Sequence, residues 1–302
     1  MKKILITGGA GFIGSTLALE LESKGHSVTI LDDYSSANIQ NLGGFKGELI
    51  IGDESRLSEL DEQYDVIFHE AAITDTTFKD DREMLRKNID GFKKILKFAL
   101  QQSATLVYAS SAGVYGNGKT PMKESQQPQP LNAYAYSKCM MDNIARKHNK
   151  SGIRVVGVRY FNVFGPEEKH KGKSSSMVYQ LYKQMVAGRN PRIFKYGEQV
   201  RDHVHVKDVV AATIKAAEAE QNGIFNIGSG EGTTFNQVID YLNKAMKTSF
   251  KPEYFDNSYK EVYQVHTHAD ISRTMKVLGW KPKFSTKSGI ADYVAWLKSK
   301  GE

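Results

Sequence analysis

Short apolar runs rich in β-branched residues recur at 4–7, 28–33, 48–52, 66–70, 105–111 and 155–161. Between several of them lie amphipathic stretches of helical length, at 13–24, 84–101 and 134–150. Strands that are apolar at consecutive positions need cover on both faces, so this alternation predicts a parallel sheet between two helical layers. With right-handed crossovers the fold class is α/β, a doubly wound parallel sheet.

Beyond Gly165-Pro166 the pattern loosens. A polar, Ser-rich stretch at 167–176 reads as a loop, followed by a helix at 177–187 and a short strand at 192–196. A strand end feeding a helix is expected over 204–219, another parallel strand at 223–227, and helices at 235–246 and 290–298. This predicts a Rossmann domain from 1–165 plus about 202–229. A smaller α/β substrate lobe takes 166–201 plus 230–302, placed over the strand ends.

Composition narrows the function classes. Hydrophobic residues make up 40% and charged residues 25% of the 302, a globular balance. No run approaches the roughly 20 apolar residues of a membrane span; the longest, near 154–165, is broken by Arg159 and Asn162. Only three apolar residues follow Lys3 before Thr7, which argues against a secretory signal. The single cysteine, Cys139, fits a reducing compartment, and a cytoplasmic protein is expected. The net charge of +7 is scattered apart from Lys169–Lys173, with no nucleic-acid recognition module. A small anionic substrate in a basic cleft accounts for it better.

Thr7-Gly8-Gly9-Ala10-Gly11-Phe12-Ile13-Gly14 directly follows the first predicted strand and opens a helix. Glycines at 8, 11 and 14 permit a tight turn, close approach of backbone to a pyrophosphate, and close helix–strand packing. The helix start then offers free N–H groups to phosphate. Asp32, ending the second strand, is placed to accept hydrogen bonds from the adenosine ribose. Asp32-Asp33 would repel a 2′-phosphate, and no Lys or Arg occurs from Tyr34 to Phe45, so the chemistry leans to NAD over NADP.

Ser110-Ser111 ends the fifth strand at the carboxyl edge of the sheet, where ligands bind in open α/β folds. Tyr134 and Lys138 are four residues apart and share a helix face. A nearby ammonium favours a phenolate, so Lys138 is expected to lower the pKa of Tyr134, with Ser111 orienting a substrate hydroxyl.

Together these motifs resemble the extended short-chain dehydrogenase/reductase family of nucleotide-sugar enzymes, over nearly the whole chain. The resemblance implies one tightly bound NAD or NADP per subunit and a nucleotide-diphosphate sugar as substrate. It also implies a homo-oligomer. Asp53 would lie near adenine, and Glu70, Ala71, Ala72, Asn88 and Val163 would join Phe12, Ile13, Tyr134 and Lys138 around the dinucleotide. Ala112 and Gly113 follow Ser111 where the family's dehydratases and decarboxylases carry carboxylates, so simple epimerisation is favoured.

Gly165-Pro166 followed by His170-Lys171-Gly172 is similar to the ADP-glycero-manno-heptose 6-epimerase branch. By that resemblance Lys171 is a second acid/base, Asn162, Phe194, Arg201 and Tyr263 form the substrate pocket, and the cofactor would be NADP. The chain departs from that branch at Lys173-Ser174-Ser175-Ser176 and at Gln180. A UDP-hexose 4-epimerase is the alternative, and a non-catalytic dinucleotide-binding regulator a remoter one. The pairs His203/His205 and His266/His268 have chelating spacing, but no Cys or Glu cluster accompanies them and no metal is expected.

Overall fold

The computed structural model describes residues 1–76, 78–148, 152–257 and 264–302, among which twelve strands and eight α-helices form. In the first half these are β1 (Lys3–Thr7), α1 (Phe12–Ser23), β2 (Ser27–Asp32), β3 (Glu48–Ile51), β4 (Val66–His69), α2 (Asp81–Gln102), β5 (Thr105–Ser111), α3 (Ala133–Lys147) and β6 (Val155–Tyr160). Then follow β7 (Asn162–Phe164), α4 (Met177–Val186), β8 (Arg192–Phe194), β9 (Val200–His205), α5 (Val206–Glu218) and β10 (Gly223–Ile227). The remainder is β11 (Gly232–Thr234), α6 (Phe235–Met246), β12 (Glu253–Phe255), α7 (Ser272–Leu278) and α8 (Thr286–Ser299).

Seven strands make one parallel sheet in the order β10-β6-β5-β4-β1-β2-β3. This is the doubly wound order expected of a Rossmann sheet, extended by one strand. Side chains alternate across it: Ile4 and Ile6 of β1 join α1 and α5 in one core, while Leu5 joins α2 and α3 in the other. Burial on both faces explains why the strands read as continuous apolar runs. Helix starts follow local chemistry. Asp80 accepts from the Glu83 amide at the start of α2, and Asn132 from the Ala135 amide at the start of α3.

β6 fills all but the last residue of the run expected at 155–161; beyond Phe161 the chain resumes as β7 in a three-stranded sheet, β11-β9-β7, which the sequence pattern does not announce. Likewise β9 belongs to that small sheet, where Asn162 pairs with His203, although the helix it feeds, α5, packs under the main sheet. Helix α7 and strands β11 and β12 were not expected, and the end of the 134–150 helix falls partly outside the described residues. A third core, built from α4, α6 and α8, carries the lobe above the strand ends.

Candidate active site

The glycine turn fits a dinucleotide by its shape. Gly8 has φ +69°, and a Cβ there would lie 2.5 Å from the Ala71 amide nitrogen; a Cβ on Gly14 would lie 2.2 Å from the Gly8 carbonyl oxygen. The turn between β1 and α1 therefore packs backbone to backbone against the segment after β4, which holds Ala71 and Ala72. No side chain caps α1, whose first turn carries no acidic residue, so its N–H groups stay free for phosphate beside Gly11. Asp32 is buried and receives hydrogen bonds from the Ala10 and Tyr34 amides, while Asp33 is exposed and accepts from Ser35. Carboxylate oxygens have lone pairs to spare for ribose hydroxyls. These features fit the group.

Other predicted cofactor residues are engaged with the protein itself. Asp53 is exposed, and its carboxylate caps a short turn through the Ser55 amide; the Ser55 hydroxyl, and then that amide, hold its pKa below the usual carboxylate range. Asn88 is buried and spends its whole amide internally: it accepts from Ile73 N and donates to Ile73 O and Ser137 Oγ. It ties the segment after β4 to α3 and supports the site from behind.

A cavity of about 1100 Å³ opens where the carboxyl edge of the main sheet meets the lobe. It brings together Phe12, Ile13, Glu70, Ser111, Tyr134, Lys138, Asn162, Val163, Lys171, Phe194 and Arg201. Tyr263 lies outside the described residues. Arg189 and Arg192, not expected from the sequence, also line it; Arg192 is paired with Glu253 on the same wall, and Arg189 joins Lys171 and Arg201 in a cationic surround suited to a diphosphate. Their only sequence signal is the spacing Arg189-Asn190-Pro191-Arg192.

Within the cavity the Lys138 ammonium, buried under α3, donates to the Ala109 carbonyl at 2.7 Å and lies 5.8 Å from the Tyr134 ring centroid. Burial pulls the pKa of Lys138 down to about 8. The expected effect of Lys138 on Tyr134 is corrected: burial raises the Tyr134 pKa, the nearby Ser111 hydroxyl opposes the rise, and the Glu70 charge adds to it. One of the three ammonium N–H groups is bonded to a backbone carbonyl, and the ammonium stands 5.8 Å from the centre of the phenol ring.

Lys171 sits in a short 3₁₀ segment, Lys169–Ser174, with its ammonium 5.3 Å from the Phe12 ring centroid. Its pKa is lowered by burial and not by the neighbouring lysines, one of which, Lys169, pairs with Glu302. The residue that shapes this loop is Glu168, which is fully buried. It accepts from the Gly165 amide at one end and from the Ser176 amide and hydroxyl at the other. Gln180 donates to the carbonyls of Lys173 and Ser175. Asn41 links His170 to the phosphate turn through Ala10 O. His203, also on the cavity wall, has neither ring nitrogen bonded. Among the described residues no group of three His, Cys, Asp or Glu side chains is placed to hold a metal.

A family model described as the NAD dependent epimerase/dehydratase family matches residues 4–228. The chain belongs to this family. It is 35% identical to an ADP-L-glycero-D-manno-heptose-6-epimerase of Brachyspira hyodysenteriae, across 99% of this chain and 98% of that one. Among solved structures it resembles the Helicobacter pylori ADP-L-glycero-D-manno-heptose-6-epimerase, with 37% identity, a TM-score of 0.92, and 99% and 96% of the two chains covered. It also resembles a UDP-N-acetylglucosamine 4-epimerase of Methanobrevibacter ruminantium, at 28% identity, a TM-score of 0.92 and 99% coverage of each. The relatives are NAD-dependent epimerases, and this chain is an enzyme of that isomerase class.

Proposed function

We propose that this protein inverts C6 of an ADP-glycero-manno-heptose while keeping one NAD bound per subunit. The observation that carries the reading is Lys171 on the wall of the cavity that also holds Ser111, Tyr134 and Lys138, in a chain similar end to end to heptose 6-epimerases. We further propose a division of labour, the sheet unit holding the dinucleotide and the lobe holding the sugar nucleotide.

Bound NAD supplies a positively charged ring that takes up a hydride from the sugar carbon and returns it. The free amides of Phe12 and Ile13 and the Asp32 carboxylate would hold it, with Lys138 at its second ribose. Asp32, Asp33 and the lack of a basic residue from Tyr34 to Phe45 favour NAD over NADP.

Ser111 orients the C6 hydroxyl, and Tyr134 takes the hydroxyl proton as the carbon–hydrogen bond is broken. The resulting carbonyl is planar, so inversion needs its other face turned to the same ring. Lys171, on a separate loop, then gives a proton to the carbonyl oxygen; in the reverse reaction the two residues exchange roles. Arg201, with Arg189 nearby, clamps the diphosphate while the heptose turns.

The test is proton NMR of the purified protein with ADP-D-glycero-D-manno-heptose and, separately, UDP-glucose, with no added dinucleotide. The reading expects C6 inversion of the heptose only. Conversion of UDP-glucose alone would assign the chain to the 4-epimerases and remove the role of Lys171.

A further inference from the structure

Glu70 presents a carboxylate to the cavity that the proposed chemistry does not use. It lies directly after β4, and a chain of hydrogen bonds leads away from it. The Tyr160 hydroxyl is 2.8 Å from Glu70 Oε1 and 2.8 Å from Thr213 Oγ1, and Thr213 donates to the Val209 carbonyl at 2.8 Å. A carbonyl has no proton to give, so the Thr213 proton is committed to Val209, and its oxygen can only accept from Tyr160. The single Tyr160 proton can therefore point either way. With Glu70 ionised it points to the carboxylate. With Glu70 protonated, the acid donates to the Tyr160 oxygen and Tyr160 turns to Thr213. The network satisfies both states of Glu70, whereas a purely structural buried carboxylate has partners that fit one.

The groups facing Glu70 make this consequential. From α3 come Tyr134 and Lys138; Asp142, a turn further on, acts on Lys138 from behind. From β6 comes Tyr160 and from α5 Thr213. Phe12 and Ile13 of α1 carry no charge, and His69, the preceding residue, is buried, hydrogen-bonded to Thr7 Oγ1 and held neutral. Lys171 lines the same cavity from the lobe. The charge on Glu70 favours the ammonium of Lys138 and disfavours a phenolate on Tyr134. Burial brings the Glu70 pKa up to about 7, inside the working range.

We propose that Glu70 is a positioning residue for the Tyr134–Lys138 pair, its carboxylate switching protonation through Tyr160 and so setting how charge is shared between phenol and amine. The kinetic consequence rests on the epimerase reading; the electrostatic one does not. Removing the charge lowers the pKa of both Lys138 and Tyr134, so the limb of the pH–rate profile that Tyr134 sets as base moves to lower pH in Glu70→Gln, while the limb set by Lys171 stays in place.

The experiment has two arms on the protein as purified. The first is a ¹³C NMR titration of the lysine side chains, with the Lys138 signal assigned by Lys138→Met. Glu70→Gln is expected to move the Lys138 midpoint down by about one pH unit. Tyr160→Phe, which destabilises the ionised carboxylate, should move it the same way by less. The second arm is the pH–rate profile with ADP-D-glycero-D-manno-heptose, whose Tyr134 limb should shift in the same direction as the midpoint. An unchanged Lys138 midpoint in a Glu70→Gln protein of wild-type melting temperature overturns the proposal, as does a profile lowered evenly at all pH values. Absence of turnover by the wild type would count against the heptose reading alone, because the titration needs no substrate.

Discussion

Arg159 and Asp142 are both fully buried, with Arg159 Nη2 2.7 Å from Asp142 Oδ2 and the guanidinium 4.8 Å from the Tyr115 ring centroid. Asp142 also accepts from the Tyr108 hydroxyl. Removing one partner strands the other charge in a dry interior, so Asp142→Ala should destabilise the fold by about 3–5 kcal/mol, read from urea unfolding. His203 makes the opposite case. Both its ring nitrogens are buried without partners between Phe164 and Phe235, and burial lowers its pKa to about 3. The unfolded chain protonates this histidine below pH 6.5 and the folded chain does not, so it costs stability increasingly as the pH falls from 6.5 towards 3. His203→Phe should accordingly gain on the wild type by roughly 1.4 kcal/mol per pH unit through that window, in unfolding curves at pH 7 and pH 5. At the cavity, Tyr134→Phe should lower kcat by about 10²–10⁴-fold and leave the dinucleotide bound, as absorbance after denaturation would report. Tyr134, Lys138 and Ser111 were legible because their spacing and strand-end position are local properties. The sign of the Tyr134 shift was not, because it depends on burial and on Glu70, 64 positions away in the chain.

Elements built from local pattern were read well, and those built from distant pairing were not. The main-sheet strands stand out as buried runs and α2 and α3 as amphipathic stretches, although the 84–101 expectation omits the first turn of α2, which Asp80 caps. The small sheet escaped notice because β7 and β11 have three residues each, two of them polar in β11, and acquire their partners only through the long-range β9 pairing. The stretch at 167–176 reads as a polar, Ser-rich loop, yet Glu168 is buried as the clasp that joins its two ends. Glu168→Ala leaves the Gly165 and Ser176 amides without their acceptor, a loss of about 1–3 kcal/mol for each buried unpaired group. It should expose Lys169–Ser174 to trypsin and reduce turnover as far as Lys171→Met does, with Tyr134 and Lys138 intact. A Glu168→Ala protein whose loop resists trypsin would show that the clasp is dispensable.

The whole molecule places a cationic cavity between a sheet edge and a lobe. Positive charge gathers there at Lys171, Arg189 and Arg201, while Arg192 is paired with Glu253 on the same wall. No helix of the described residues is long and apolar enough to cross a membrane. Residues from the lobe reach the glycine turn, His170 through Asn41 and Lys171 over Phe12, so under the proposed division of labour the lobe closes over the mouth of the unit that holds the dinucleotide. A ligand that binds only the folded state adds RT ln(1 + [L]/Kd) to its stability. Stripped protein should thus melt lower than protein as purified, and NAD should restore the difference more completely than NADP. The central claim is that one hydrogen leaves C6 of the heptose and the same hydrogen returns to the other face. It is tested by incubating the protein with ADP-heptose deuterated at C6 and analysing the product by mass spectrometry. Full retention of deuterium in the inverted sugar is the predicted result; its loss to water would contradict the account.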